Sequence, residues 1–161
     1  MRATWLLGIV LVGSLSCAAP VGQTGGKRAP TSALDVTIRV SGFADVALVD
    51  AEGRRTGWYS GRVEDIPDCE LEADEDEVMQ PLDYAFHLRQ ATNESYRLLV
   101  RPRTDATVSI EVEGWLAGKQ ACVARADTQL VWLGESGESQ WRLEWKISGS
   151  GCRLEIIPVP R

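Results

Sequence analysis

Few residues in this chain are equipped for chemistry, and their spacing narrows the choice. The one histidine, His87, falls where Tyr84, Phe86 and Leu88 alternate with Ala85, His87 and Arg89, so it sits on the polar side of a strand. A single histidine cannot build a histidine-rich zinc site, and no His-Glu-x-x-His, Gly-x-Ser-x-Gly or Gly-x-x-x-x-Gly-Lys occurs. A Ser-His-Asp set assembled in space around His87 is the one enzymatic arrangement left. Without a flanking motif the expectation is a solvated strand residue, no catalytic residues, and a protein that is not an enzyme.

The densest charge lies in Glu64 to Glu77, which holds nine acids and no base. Oxygen-rich loops of this sort bind Ca²⁺, and Asp74, Asp76 and Asp83 are the weak candidate ligands. The spacing lacks the Asp-x-Asp-x-Asp-Gly of an EF-hand, and a run of like charges more often forms a solvated loop. No metal site and no cofactor is therefore expected, with Ca²⁺ the one weak exception. Just before this block, Arg54, Arg55, Trp58 and Tyr59 combine cation and aromatic in six residues, a composition suited to an interaction patch.

The elements that must carry these residues read as strands. Leu34 to Val40 alternates apolar and polar without a fault, Asp45 to Asp50 follows, and Asp50-Ala51-Glu52-Gly53 has the Asp and Gly of a tight turn. Arg54 to Tyr59 returns as its hairpin partner, and Arg62 to Ile66 is a short strand stopped by Pro67. Ala73 to Asp83 reads as a loop. Tyr84 to Arg89, Tyr96 to Val100 and Val108 to Val112 are strands, and Gly114 and Gly118 bracket a bend carrying Trp115. Leu130 to Leu133 is expected to pair with Trp141 to Ile147, with Trp132 packing across from Trp141 and Trp145. A last hairpin through Ser148 to Gly151 brings in Cys152, Leu154 and Ile156. The pattern predicts an all-β antiparallel sandwich, Ig-like, of about eight to ten strands, with a barrel as the alternative.

The first residues belong to export. Met1-Arg2 is basic, and Trp5 to Leu15 is an apolar run too short for the about 20 residues of a membrane-spanning helix. Residues 1–16 are read as a signal peptide. Gly13-Ser14-Leu15-Ser16-Cys17 resembles the lipobox of bacterial lipoproteins, in which a small residue precedes a cysteine that is lipidated and becomes the new N-terminus. Serine stands at position 14, where that family usually has leucine. The other reading is ordinary cleavage after Ala18, which discards Cys17. The resemblance implies lipidation at Cys17, anchoring to the membrane through acyl chains such as palmitate and, with Ala18 rather than an aspartate next, placement in the outer membrane. Residues 17–33, rich in Gly and Pro, then form a flexible tether, leaving 34–161 as one domain. The hairpins around Asp50 to Pro67 also resemble segments of uncharacterised bacterial envelope β-sandwich proteins, and no activity comes with that likeness.

The whole chain carries 17 basic and 23 acidic residues, and the form starting at Cys17 has a net charge of −7. That balance argues against nucleic acid as a partner. The expected partner is an envelope protein or surface ligand, and the alternative is a Ca²⁺-dependent or aromatic-patch module binding a glycan. In an oxidising compartment Cys122 and Cys152 are expected to form a disulfide, leaving Cys69 free.

Overall fold

The computed structural model describes residues 33–73, 82–91, 95–134, 137–148 and 151–160. Among the described residues eleven strands form two antiparallel sheets. They are β1 (Leu34–Ser41), β2 (Ala44–Val49), β3 (Arg55–Trp58), β4 (Arg62–Glu64), β5 (Cys69–Ala73), β6 (Asp83–Ala91), β7 (Ser95–Pro102), β8 (Ala106–Leu116), β9 (Lys119–Leu130), β10 (Ser139–Ser148) and β11 (Gly151–Val159). One sheet has the order β5-β6-β1-β8-β9 and the other β11-β10-β7-β2-β3-β4. The sheets pack face to face and do not close into a barrel. The fold is a β-sandwich, as the alternation in the sequence implies.

Inward residues of the two sheets make the core. β1 supplies Leu34, Val36, Ile38 and Val40, and the flanking β6 and β8 add Tyr84, Phe86, Leu88, Val108, Ile110 and Val112. From the other sheet come Val46, Leu48, Leu98, Val100, Trp141, Leu143 and Trp145, with Tyr96 stacked on Trp145 at 5.2 Å. Burial of such side chains contributes about 1.5–3 kcal/mol each. Gly57 lets β3 lie tightly on β2, because a Cβ there would stand 2.3 Å from the Val46 carbonyl oxygen.

Several expected elements fall elsewhere. Leu130 to Leu133 does not pair with Trp141 to Ile147: β10 lies between β7 and β11, and the residues before Val131 belong to β9, paired along β8. Trp132 is 55% exposed rather than packed across from Trp141. Gly114 and Trp115 lie inside β8, and the turn comes at Ala117-Gly118. β5 lies within the acidic run, where Cys69 and Leu71 point inward between Glu70 and Glu72. The expected loop from Ala73 to Asp83 falls mostly outside the described residues.

The two seams between the sheets differ. On one, β3 and β4 of one sheet meet β5 of the other: Arg62 Nη2 donates to the Leu71 carbonyl at 3.3 Å, Ile66 plugs the gap, and its N–H donates to Thr56 Oγ1 at 3.1 Å. On the other, β9 and β11 are joined by the Cys122–Cys152 disulfide, Cα–Cα 5.6 Å. Gly114 makes room for it, since a Cβ there would stand 2.6 Å from Cys122 Sγ. From the bridge β9 and β11 run in the same direction toward a cleft lined by Leu130, Trp141 and Ile156.

Strand register defines two poles. Leu34, Leu116, Val49 and Ser148 lie at the proximal pole, where β1 starts, and Ser41, Ala106, Pro102 and Val159 at the distal pole.

Candidate functional site

The distal pole holds the most tightly organised group of polar side chains. Asp45 stands opposite Arg101 in the β2–β7 ladder, facing out of the core and yet only 7% exposed. Two guanidinium groups cover it. Arg101 donates Nε and Nη2 to Asp45 Oδ2 at 3.0 and 2.5 Å, and Nη2 also reaches Ser60 Oγ at 3.1 Å. Arg103, just past β7, donates Nε to Asp45 Oδ1 at 2.8 Å and Nη2 to the same oxygen. The Arg103 backbone N–H is held by the Phe43 carbonyl and its guanidinium lies 5.3 Å from the Phe43 ring.

Tyr59 completes it. Trp58, the residue before, turns inward and packs on the core, so Tyr59 turns outward over Ala47, Val49 and Leu99. Arg101 lies 4.5 Å from the centre of its ring, a cation–π contact. The phenol donates to Glu138 Oε2 at 2.6 Å, and Gln140 Nε2 holds the other Glu138 oxygen at 2.7 Å. Burial first, then the Glu138 carboxylate, pushes the Tyr59 hydroxyl up to about 12. Ser60 at φ 62° and Gly61 reverse the chain here, with Tyr59 N–H bonded to the Gly61 carbonyl.

Beside this group the chain leaving β9 shows Val131, Trp132 and Leu133 at 60, 55 and 55% exposure. The Trp132 N–H donates to Asp105 Oδ1 at 2.8 Å, so the strip is fixed rather than trailing. Asp45, Ser60, Arg101, Arg103, Trp132 and Gly134 line an open hollow of about 340 Å³. Three adjacent exposed apolar residues beside two arginines and a tyrosine combine the side-chain types that dominate binding hot spots.

The residues singled out in the sequence are distributed over the molecule. Arg54 lies at the proximal pole in its own turn: its backbone N–H donates to Asp50 Oδ1 at 2.8 Å, its Nε to Asp50 Oδ2 at 2.6 Å, and Nη2 to Glu52 at 3.1 Å. Burial raises the Asp50 carboxyl, but the Arg54 bonds outweigh it and hold Asp50 below its usual range. Arg55 starts β3 at the same pole and is exposed. Tyr59 and Trp58 are at the other end of that strand, so the structure does not bring Arg54 and Arg55 to Tyr59. Cys122 and Cys152 form their bridge, while Cys69 is free and buried, its thiol pushed up to about 12 by desolvation. Asp83 is an exposed residue at the start of β6, whereas Cys17, Asp74 and Asp76 lie outside the described residues. Among the described residues no three His, Cys, Asp or Glu side chains gather as a metal site.

His87 does acquire neighbours. Its Nδ1 lies 3.3 Å from Thr37 Oγ1 and its Nε2 3.2 Å from Glu72 Oε2. The arrangement spans β1, β5 and β6 on the outer face of the five-stranded sheet. Thr37 is in the central strand, cross-paired with His87 on one side and Glu113 on the other, so its backbone is committed to the ladders.

No known protein family, curated protein or solved structure matches this chain significantly.

Proposed function

We propose that this chain is a non-catalytic cell-envelope lipoprotein, anchored through Cys17, whose β-sandwich engages an envelope protein or surface ligand at its distal pole. The observation that carries the reading is the Val131-Trp132-Leu133 strip, more than half exposed and set beside the Asp45–Arg101–Arg103–Tyr59 group. Apolar side chains held this far out of a core mark interaction surfaces, and Trp, Tyr and Arg are the residues through which such surfaces gain most of their affinity. Arg101 and Tyr59 are locked by their partners before anything binds, which reduces the entropy lost on association.

The test is site-specific photo-crosslinking in the native envelope, with the photoreactive residue at Trp132 or, for comparison, at Arg39 on the five-stranded sheet. A discrete adduct from position 132 and none from 39 supports the reading, whereas identical patterns would remove it. The anchor is tested separately by intact mass of the mature protein: a chain starting at Cys17 and carrying a diacylglyceryl group is expected, and a bare chain starting at Ala19 would overturn it. A second reading rests on the exposed Trp132 indole at the rim of the hollow, a geometry in which a sugar ring could stack. Calorimetric heat with oligosaccharides, or with Ca²⁺, would favour that ligand-binding module over the protein-binding one.

A further inference from the structure

A sheet edge with a row of unpaired N–H and C=O groups is a template for another strand, and proteins commonly blunt such edges. This sandwich has four edges, and three are blunted. β4 has three residues and β5 has five, the latter flanked by acids. β11 carries Pro158, with Pro160 just beyond, and prolines offer no N–H. β9 is built otherwise. It runs for twelve residues without Pro or Gly; its one bulge, at Ala121, and its disulfide to β11 lie near its start, and among the described residues its only ladder is with β8.

Its outward side chains are Val123, Arg125, Asp127 and Gln129, all exposed. Placed antiparallel to itself and centred on Ala126, this strand sets Arg125 opposite Asp127 of a second copy, and Asp127 opposite that copy's Arg125. Centring on Arg125 or on Asp127 would set like charges face to face. We infer that β9 is a dimerisation edge, joining two copies of this chain about a two-fold axis at Ala126 into one continuous sheet. The contact is self-complementary, as a two-fold interface must be. Arg125 is 2.9 Å from Glu111 and Asp127 accepts from Ser109 at 2.6 Å, both partners being opposite them on β8, so the two charges are already ordered on the exposed face.

The experiment is sedimentation equilibrium of the full chain in density-matched detergent. The wild-type chain is expected to show a concentration-dependent monomer–dimer equilibrium. Arg125→Asp and Asp127→Arg are each expected to weaken it by about tenfold or more, because like charges directly opposite destabilise a strand pair twice over in a symmetric contact. Mixing the two variants in equal amounts is expected to restore association, since each position 125 then faces a position 127 of opposite charge across the edge. The doubly exchanged chain is expected to dimerise like wild type. Both positions are exposed, so the variants should fold, which circular dichroism checks. A wild-type chain that stays monomeric at the highest concentration reached, a dimer that Arg125→Asp leaves intact, or single variants that fail to recombine would each overturn the inference.

Discussion

On the outer face of the five-stranded sheet Arg39 reaches Glu113 at 2.5 Å, Arg125 reaches Glu111, and Ser109 reaches Asp127. On the outer face of the six-stranded sheet Ala47, Val49 and Leu99 are buried under Tyr59, and Asp45 is enclosed by two arginines. Both faces are made by alternating strands whose other side chains enter the same core. The first follows the usual rule of a sheet with one wet side. The second has a small interior of its own, and its polar groups are desolvated and fixed. The contrast is therefore one of order: the distal pole of the six-stranded side holds its polar groups desolvated and fixed, and it is the surface on which the proposed recognition rests.

That contrast can be broken by mutation. Asp45→Ala removes the carboxylate that two largely buried guanidinium groups share and is expected to destabilise the fold by about 3–5 kcal/mol in urea denaturation. Leu99→Ala, which hollows out the apolar cluster beneath Tyr59, should lower stability by about 2–3 kcal/mol in the same assay. Tyr59→Phe removes only the bond to Glu138 and is expected to reduce stability by about 1 kcal/mol near neutral pH.

The tyrosine also gives a pH signature. Its hydroxyl is raised from 10.0 to about 12 in the folded chain, so its contribution is fully present below the unfolded value and is lost as pH rises through the folded one. Denaturation at about pH 9 and about pH 11.5 should therefore show a fall that is smaller in Tyr59→Phe. Cys69 and Tyr84, both raised to about 12 by burial, supply the part of the fall that remains. On the other sheet, Arg39→Ala breaks an exposed ion pair and should change stability by no more than about 0.5 kcal/mol. A change there as large as that of Asp45→Ala would erase the distinction between the faces.

The sequence made β1 legible because Leu34 to Val40 puts a large apolar residue at every inward position. It hid β9, whose inward residues Ala124, Ala126 and Thr128 are too small to produce a visible period. β5 was hidden by the charge of Glu70 and Glu72, which are simply its outward residues. The Cys122–Cys152 bridge could be anticipated because the cysteine count left few choices. The Asp45 triad could not, since its arginines are 56 and 58 residues away and only strand pairing brings them together. A hint existed in the single acid within the apolar strand Ala44 to Val49, and in the two arginines flanking Pro102. Trp132 was misplaced because an apolar run does not announce whether it enters a sheet or leaves one.

β1 is bordered on both sides by antiparallel partners, and the chain enters at its proximal end while β11 leaves at the distal pole. Hydrogen bonds between strands stand perpendicular to the strand axis. A pull applied between the proximal start of β1 and the distal pole would run along β1, loading both ladders in shear. The bonds of the two ladders would then share the force together, rather than opening one after another as in a peeled edge. The central placement of the first strand thus sets both ladders to resist tension applied along β1 together.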